Sequence, residues 1–162
     1  MGGFIVFIII LILLLASNIT SYNKEKSRLK ALQLADVDSM TGANFENYVA
    51  ILLRHRGFKA QVTRASNDFG VDIVAEKNKL KYAIQVKRYS KSVSRRAVSD
   101  AVGGKSYYKC NASMVVTNNF FTAGARELAR SAKCELIDRN QLAEWIMDYQ
   151  SSNSTLSRAA HN

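Results

Sequence analysis

Residues 67–89 constrain the fold of this 162-residue chain more than any other segment. Within them, residues 71–75 and 82–87 are rich in β-branched and apolar side chains that largely alternate with polar ones. A short polar stretch, residues 77–79, separates the two runs. Period-2 alternation on both sides of a turn cluster is typical of strands joined in a hairpin. We therefore expect two adjacent antiparallel strands here.

Three polar side chains of this predicted hairpin are candidates for one site. Asp72 lies on the first strand, and Gln85 and Lys87 lie on the second. Side chains two positions apart point to the same face of a strand, so Gln85 and Lys87 share a face. An acid, an amide and an amine are therefore expected to meet where the two strands run side by side.

An acid on one strand and Gln-x-Lys on the next resemble the core of the PD-(D/E)xK nucleases. The closer resemblance is to the Mrr-type restriction endonuclease family, in which Gln replaces the usual second acid. The resemblance covers residues 40–149. Its further landmarks are Thr41-Gly42, Phe45-Glu46, Gly57-Phe58, residues 68–72, residues 115–118, Phe121-Thr122 and residues 136–138.

The resemblance implies an α/β fold with a restriction-endonuclease-like core, in which helices flank a mixed central sheet. It also implies a metal-dependent DNA endonuclease of the type IV, Mrr-like class, restricting foreign or modified DNA. Carboxylate and carbonyl oxygens suit Mg²⁺ (or Mn²⁺), so Asp72, Gln85, the backbone carbonyl of Val86 and Glu46 are the expected ligands. Lys87 is expected to orient or help deprotonate the attacking water.

Basic residues are concentrated around the predicted site. The net charge is +10, and residues 77–109 contain ten Lys or Arg against one acid, Asp100. Such a stretch favours a polyanionic partner, here double-stranded DNA, bound through its phosphates. Cutting both strands with one site per chain also favours a homodimer. The expected DNA-binding residues are Lys81, Arg88, Lys91, Arg95 and Arg96.

The N-terminal segment is strongly apolar. Residues 4–16 are apolar throughout, and no charged side chain occurs in residues 2–23. An uncharged helix of this length reaches about 33 Å, enough for a hydrocarbon layer of about 30 Å. Basic residues follow the run, which indicates a single-pass anchor with the domain on the cytoplasmic side. The shorter apolar run would also suit a cleaved signal peptide.

These patterns divide the chain into a transmembrane helix over 1–22, a juxtamembrane spacer over 23–39, the nuclease-like domain over 40–149 and a flexible tail over 150–162. Periodicity and turn residues predict helices over 40–56, 93–108, 122–133 and 139–150. They predict further strands over 58–63, 114–117 and 134–137. The alternation of strands and helices in the second half predicts parallel pairing.

Two other functions fit the same residues. One is a structure-specific nuclease, such as a four-way-junction resolvase. The other is a non-catalytic, membrane-tethered DNA-binding domain, although such a module has no need of Asp72, Gln85 and Lys87 together. The two cysteines, Cys110 and Cys134, lack metal-ligand spacing and are expected to be buried free thiols.

Overall fold

A computed structural model describes the backbone of residues 2–63 and 69–159. Side chains are described over the same ranges, except those of residues 2–7, 14, 18, 22, 25–33 and 155–159. The turn predicted at Ser66, Asn67 and Asp68 lies outside the described residues.

The described chain contains helices and strands in the predicted alternation. Their order is α1 (Gly2–Ser39), α2 (Gly42–His55), β1 (Lys59–Val62), β2 (Ile73–Lys77), β3 (Leu80–Lys87), α3 (Arg95–Tyr107), β4 (Ala112–Thr117), α4 (Ala123–Ala132), β5 (Cys134–Ile137) and α5 (Arg139–Ala159).

The strands form one mixed sheet in the order β1-β2-β3-β4-β5. The β1–β2 and β2–β3 pairs are antiparallel, and the β3–β4 and β4–β5 pairs are parallel. Asn78 and Lys79, both at positive φ (50° and 65°), make the tight turn that brings β3 back beside β2. Helices α3 and α4 make the long crossovers that parallel strands require. The predicted mixed sheet and the predicted parallel half are confirmed.

Three helices begin with a predicted hydroxyl cap. The side-chain oxygens of Thr41, Ser94 and Thr122 each accept a hydrogen bond from a backbone N–H in the first turn of α2, α3 and α4. Such bonds satisfy donors that have no partner inside the helix. In α3 the cap is Ser94, one residue before the helix begins at Arg95.

Two apolar layers cover the two faces of the sheet. On one face, α2 and α5 pack against alternate residues of the central strands, including Ile73, Ile84 and Val86. On the other face, α3 and α4 pack against Val115. Side chains alternate along a strand, so Gln85 and Lys87 point to the opposite face from Ile84 and Val86, toward α3. Gln85 and Lys87 therefore lie beneath α3.

The N-terminal helix joins the domain at its C-terminal end. Leu34 and Val37, in the predicted spacer, are buried in the core on the α2–α5 side. At the other end of the helix, the side chains of residues 8–13, 15 and 19 are exposed. The segment expected to be a spacer thus contributes to the packing of the domain.

The prediction of a single-pass membrane protein is wrong. Within residues 2–63 and 69–159, no helix is long and apolar enough to cross a membrane. The physical reason lies in the length of the apolar run. Residues 4–16 reach about 20 Å as a helix, short of a hydrocarbon layer of about 30 Å. The longer uncharged run includes the polar residues Ser17, Asn18, Thr20, Ser21 and Asn23.

The C-terminal helix is longer than the sequence pattern indicates. Helix α5 continues to Ala159, beyond the end expected at Gln150. Leu142, Trp145 and Ile146 form its buried stripe, as the 3.6-residue period predicts. Part of the predicted flexible tail is therefore helical.

Candidate active site

The register of the β2–β3 pair brings Asp72 beside the end of β3. Ile73 pairs with Ile84, and the backbone N–H of Asp72 donates to the carbonyl of Ile84 at 2.9 Å. Asp72 therefore lies at the N-terminal entrance of β2, next to the last residues of β3. This is the part of β3 that carries Gln85 and Lys87.

The Asp72 carboxylate is held by two donors from β3. Its Oδ2 atom accepts a hydrogen bond from the backbone N–H of Val86 at 2.6 Å and a second bond from Nε2 of Gln85. Both side chains are buried, with exposed fractions of 9% for Asp72 and 1% for Gln85. A buried carboxylate is tolerated only when donors compensate for lost water, and these two N–H groups do so.

One polar atom of the Gln85 carboxamide lacks a hydrogen-bond partner among the described residues. Its Oε1 is fully buried and has no hydrogen-bond partner within residues 2–63 and 69–159. An unsatisfied buried acceptor destabilises a fold by about 1–3 kcal/mol and is rare in native proteins. A carbonyl oxygen in that state, next to a carboxylate, is a suitable pair of ligands for a hard divalent cation.

Lys87 lies at the end of β3, where the sheet opens into a cleft. Its backbone carbonyl accepts a hydrogen bond from Oγ1 of Thr117 at 2.6 Å, which fixes the strand end against β4. The Lys87 side chain lines a cavity of about 370 Å³. The other lining residues are Tyr89, Val93, Ser94, Arg96, Ala97 and Asp100.

Helix α3 is held unusually close to the turn that precedes Asp72. A Cβ atom at Gly70 would lie 2.6 Å from Cβ of Asp100, and one at Gly104 would lie 2.2 Å from Cγ2 of Val71. Gly70 also has a φ of +73°, a conformation that glycine adopts without strain. These two contacts place α3 over the site and form one wall of the cleft.

The structure thus brings together Asp72, Gln85, Val86 and Lys87. Glu46 lies on α2, which packs on the other face of the sheet, and its assignment as a ligand stays a prediction. Within the described residues, no group of three or more His, Cys, Asp or Glu side chains is placed to hold a metal. Asp72 is the acid that contacts Gln85, through a hydrogen bond from the amide nitrogen.

The predicted DNA-binding residues divide into two groups. Lys91, Arg95 and Arg96 are exposed at the start of α3, and Arg96 lines the cleft beside Lys87. Lys81, however, lies six residues before Lys87, about 20 Å away along an extended strand. Arg88 is partly buried.

Arg88 belongs to a polar cluster that the sequence analysis did not find. Its Nη1 donates to the backbone carbonyl of Asp38 at 3.0 Å. The Arg139 guanidinium forms two bonds with the Asp38 carboxylate, at 2.9 and 2.8 Å, and Nδ2 of Asn118 donates to the same group at 2.7 Å. Oδ1 of Asn118 in turn accepts from the N–H of Tyr89 at 2.8 Å.

This cluster links the end of α1 to the chain that follows Lys87. The hydrogen bonds from Arg139 lower the pKa of the Asp38 carboxyl below its ordinary value, and Asn118 adds to that effect. The same contact with Asp38 raises the pKa of the Arg139 guanidinium. Asp38 and Arg139 are far apart in the sequence and lie in no common motif, so no sequence signal indicates their pairing.

The Mrr_cat family model, described as restriction endonuclease, matches residues 37–146 of the chain. The chain belongs to the Mrr_cat family. The Mrr_cat match includes every strand of the sheet and all four residues of the site, so the predicted family is confirmed. No curated protein matches the chain.

Three solved structures share the fold. The protein of unknown function AF1548 is 18% identical over 60% of this chain and 58% of its own, with a TM-score of 0.53. The MspJI restriction endonuclease, in complex with a 27-mer oligonucleotide, is 20% identical over 74% of this chain and 30% of its own, with a TM-score of 0.53.

The DNA modification-dependent restriction endonuclease AspBHI is 14% identical over 78% of this chain and 36% of its own, with a TM-score of 0.59. This Mrr_cat chain therefore spans between about a third and three fifths of these proteins. At such identities the similarity shows the restriction-endonuclease-like fold, which confirms the predicted fold class for the domain.

Proposed function

We propose that this chain is a divalent-metal-dependent endonuclease that hydrolyses phosphodiester bonds in double-stranded DNA. The observation that carries the proposal is the buried contact between Asp72 and Gln85, two residues along the strand from Lys87, which lines a cleft. Phosphodiester hydrolysis requires a cation site, a group that positions the attacking water and a positive charge near the phosphate. Asp72 and Gln85 would provide the first, and Lys87 would provide the other two.

The donor set fits a hard divalent cation. Asp72 would supply an anionic oxygen, and Oε1 of Gln85 would supply the neutral carbonyl oxygen that otherwise has no described partner. The backbone carbonyl of Val86 adds a further neutral oxygen to the proposed set, and the carboxylate of Glu46, on α2, would contribute through a bound water. When Mg²⁺ or Mn²⁺ is bound, it supplies Lewis-acid stabilisation of negative charge on the phosphate.

Lys87 acts on the attacking water and on the phosphate. Among the described residues it forms no ion pair, so its ammonium group is available to an anion in the cleft. From there it orients the water, assists its deprotonation and offsets charge on the phosphate oxygens. The bond from Thr117 to the Lys87 carbonyl holds the backbone, so the side chain alone needs to adjust.

The start of α3 provides a second cationic element at the same cleft. Ser94 caps the helix, and the following N–H groups lie at the positive end of the helix dipole. Backbone N–H groups at such a position bind phosphate readily. Arg96 adds a full charge at the cleft, and Lys91 and Arg95 extend the basic surface. We propose that this surface holds the DNA backbone without regard to sequence.

The substrate that we propose is foreign or modified DNA, as for a type IV restriction enzyme. The support is family membership and the fold shared with MspJI and AspBHI, the second of which is described as modification-dependent. This chain covers about a third of each, and recognition of a modified base by this chain is part of the proposal. A homodimer would supply two sites for cutting both strands, and sedimentation of the protein with and without DNA tests it.

The proposal is tested with purified protein and two plasmids that differ only in cytosine methylation. We expect nicking or linearisation with Mg²⁺ or Mn²⁺, none with EDTA, and faster cleavage of the methylated plasmid. Asp72→Asn, which keeps the size of the side chain and removes its charge, is expected to reduce cleavage to background. DNA binding without any metal-dependent cleavage by the wild-type protein would favour the non-catalytic alternative.

A further inference from the structure

Two large aromatic side chains lie exposed against each other at the edge of α3. Phe69 and Tyr107 have exposed fractions of 58% and 60%, and their ring centroids are 4.2 Å apart with an interplanar angle of 31°. Tyr108 supports the pair from the side, edge-on to Tyr107 at 5.0 Å. Apolar rings of this size are usually buried, so an exposed stacked pair indicates a binding surface.

The backbone beside the pair packs closely on α3. Phe69 has a φ of +49°, a conformation that is uncommon for a bulky residue. Its carbonyl oxygen lies close to α3, since a Cβ at Gly104 would be 3.1 Å from it. This contact places Phe69 beside Tyr107 at the end of the helix.

The pair lies a short, defined distance from the active site. Phe69 precedes Asp72 by three residues, at most about 10 Å of chain. Asp100, Gly104 and Tyr107 follow one face of α3, and Asp100 lines the cleft with Lys87. Tyr107 lies about 10 Å further along that face, at 1.5 Å per residue. Both routes place the rings about 10 Å from the residues of the site.

Charge and size indicate which ligand the rings accept. Lys105 and Lys109 flank Tyr107 in the sequence, with no acid between Asp100 and Glu127, and Asp68 is the acid beside Phe69. Two aromatic side chains present at most about 300–500 Å², whereas each partner of a standard protein interface buries about 800 Å². A flat aromatic surface beside Lys105 and Lys109, on a chain of net charge +10, instead matches a nucleobase whose phosphates follow the basic residues.

We propose that Phe69 and Tyr107 form a stacking platform for an unpaired nucleobase within a few nucleotides of the scissile phosphate. This inference rests on the proposed nuclease function and narrows its substrate to DNA in which bases near the cut are unpaired or easily unstacked. A paired base presents only its edge at the grooves, so the platform has no ring face to contact in an intact duplex.

Binding in EDTA tests the platform separately from catalysis. The probes are a fully paired duplex and the same duplex with a three-nucleotide single-stranded gap that contains 2-aminopurine, whose fluorescence falls when it stacks. We expect the wild-type protein to bind the gapped probe about five- to 150-fold more tightly, the range for one stacked base, and to quench its fluorescence. Equal affinities without quenching would overturn the proposal.

Variants locate the effect on the two rings. Phe69→Ala and Tyr107→Ala are each expected to bring the ratio of the two affinities close to one, while binding of the paired duplex stays unchanged. Phe69→Leu keeps an apolar side chain without the ring and is expected to lose the quenching with the fold preserved. Phe120→Ala removes an aromatic side chain that is 40% exposed elsewhere and is expected to keep the preference.

Retention of preference and quenching in Phe69→Leu and Tyr107→Ala would show that the rings are not the platform. Cleavage with Mg²⁺ reports on the proposed function independently. If the wild-type protein cuts DNA but shows no preference for the gapped probe, only the platform fails. If it shows the preference but no cleavage with Mg²⁺ or Mn²⁺, only the nuclease assignment fails.

Discussion

The close packing of α3 against the turn before Asp72 is tested by two neighbouring glycines of the same helix. Gly103 is exposed, and a Cβ there would have nothing within 4 Å. Gly104 is buried, and a Cβ there would lie 2.2 Å from Cγ2 of Val71 and 3.1 Å from the carbonyl oxygen of Phe69. The substitutions Gly103→Ala and Gly104→Ala are therefore chemically identical and sterically opposite.

The expected changes in the free energy of unfolding follow from these contacts. Alanine stabilises a helix interior by about 1 kcal/mol relative to glycine, and Gly103→Ala should gain about that amount. Gly104→Ala gains the same stabilisation from helix propensity. However, an extra methyl group in a packed interior destabilises the fold by about 1–3 kcal/mol. Val71 cannot move away easily, because it is fully buried and its β-branched side chain is stiff. The two variants should therefore differ by about 1–3 kcal/mol.

Urea unfolding followed by circular dichroism measures this difference, with both variants and the wild type under the same conditions. DNA cleavage is the second measurement. In Gly104→Ala the added methyl group displaces the turn and with it the entrance to Asp72. This variant should therefore also cleave more slowly, while Gly103→Ala should cleave like the wild type. Equal stabilisation by both substitutions would refute the close contact between α3 and the turn.

Three further predictions concern single side chains. The lowered pKa of Asp38 means that its bonds with Arg139 stabilise the fold at neutral pH and are lost as pH falls through the folded-state pKa. Since both side chains are partly exposed, we expect the free energy of unfolding to fall by about 1 kcal/mol or less below about pH 4. Urea unfolding at a series of pH values should show this loss in the wild type and not in Asp38→Asn. Gln85→Glu places a second negative charge against Asp72, so its melting temperature should fall in EDTA and rise more steeply than that of the wild type with added Mg²⁺. Arg96→Ala should weaken binding of any duplex and reduce the slope of log K against log salt by about 1, and an unchanged slope would remove Arg96 from the phosphate contacts.

Much of the domain could be predicted because its signals are local. The alternation in residues 82–87 predicts β3 and the shared face of Gln85 and Lys87. Thr41 and Thr122 mark the helix starts through their own side chains. The bounds of β5, Cys134–Ile137, agree with the prediction.

Other features depend on contacts between distant parts of the chain. The pairing of Asp38 with Arg139 arises only when the ends of α1 and β5 meet, and nothing in either local pattern indicates it. The layer in which α2 packs is set by its contacts with the sheet and with α5, and its own sequence does not show which face it covers. Burial of Leu34 and Val37 likewise depends on the helices around them, so their segment was predicted to be a spacer.

The N-terminal prediction was wrong for a different reason. Absence of charge over residues 2–23 predicts a span of membrane length, but Asn18, Thr20 and Ser21 interrupt the apolar character of that segment. The exposed Phe69–Tyr107 pair was not predicted either, because the sequence does not show which tyrosines leave the core. Tyr82 is buried, whereas Tyr107 is largely exposed.

The most direct test of the site is the single-turnover rate of cleavage of a labelled duplex with Mg²⁺ by Lys87→Ala and Lys59→Ala. Both variants remove one lysine from a strand of the same sheet, but Lys59 is exposed on β1, away from the cleft. We expect Lys87→Ala to be slower than the wild type by about 10²- to 10⁴-fold and Lys59→Ala to remain within about twofold. Cleavage by Lys87→Ala at the wild-type rate would contradict the proposal that Asp72, Gln85 and Lys87 form the active site.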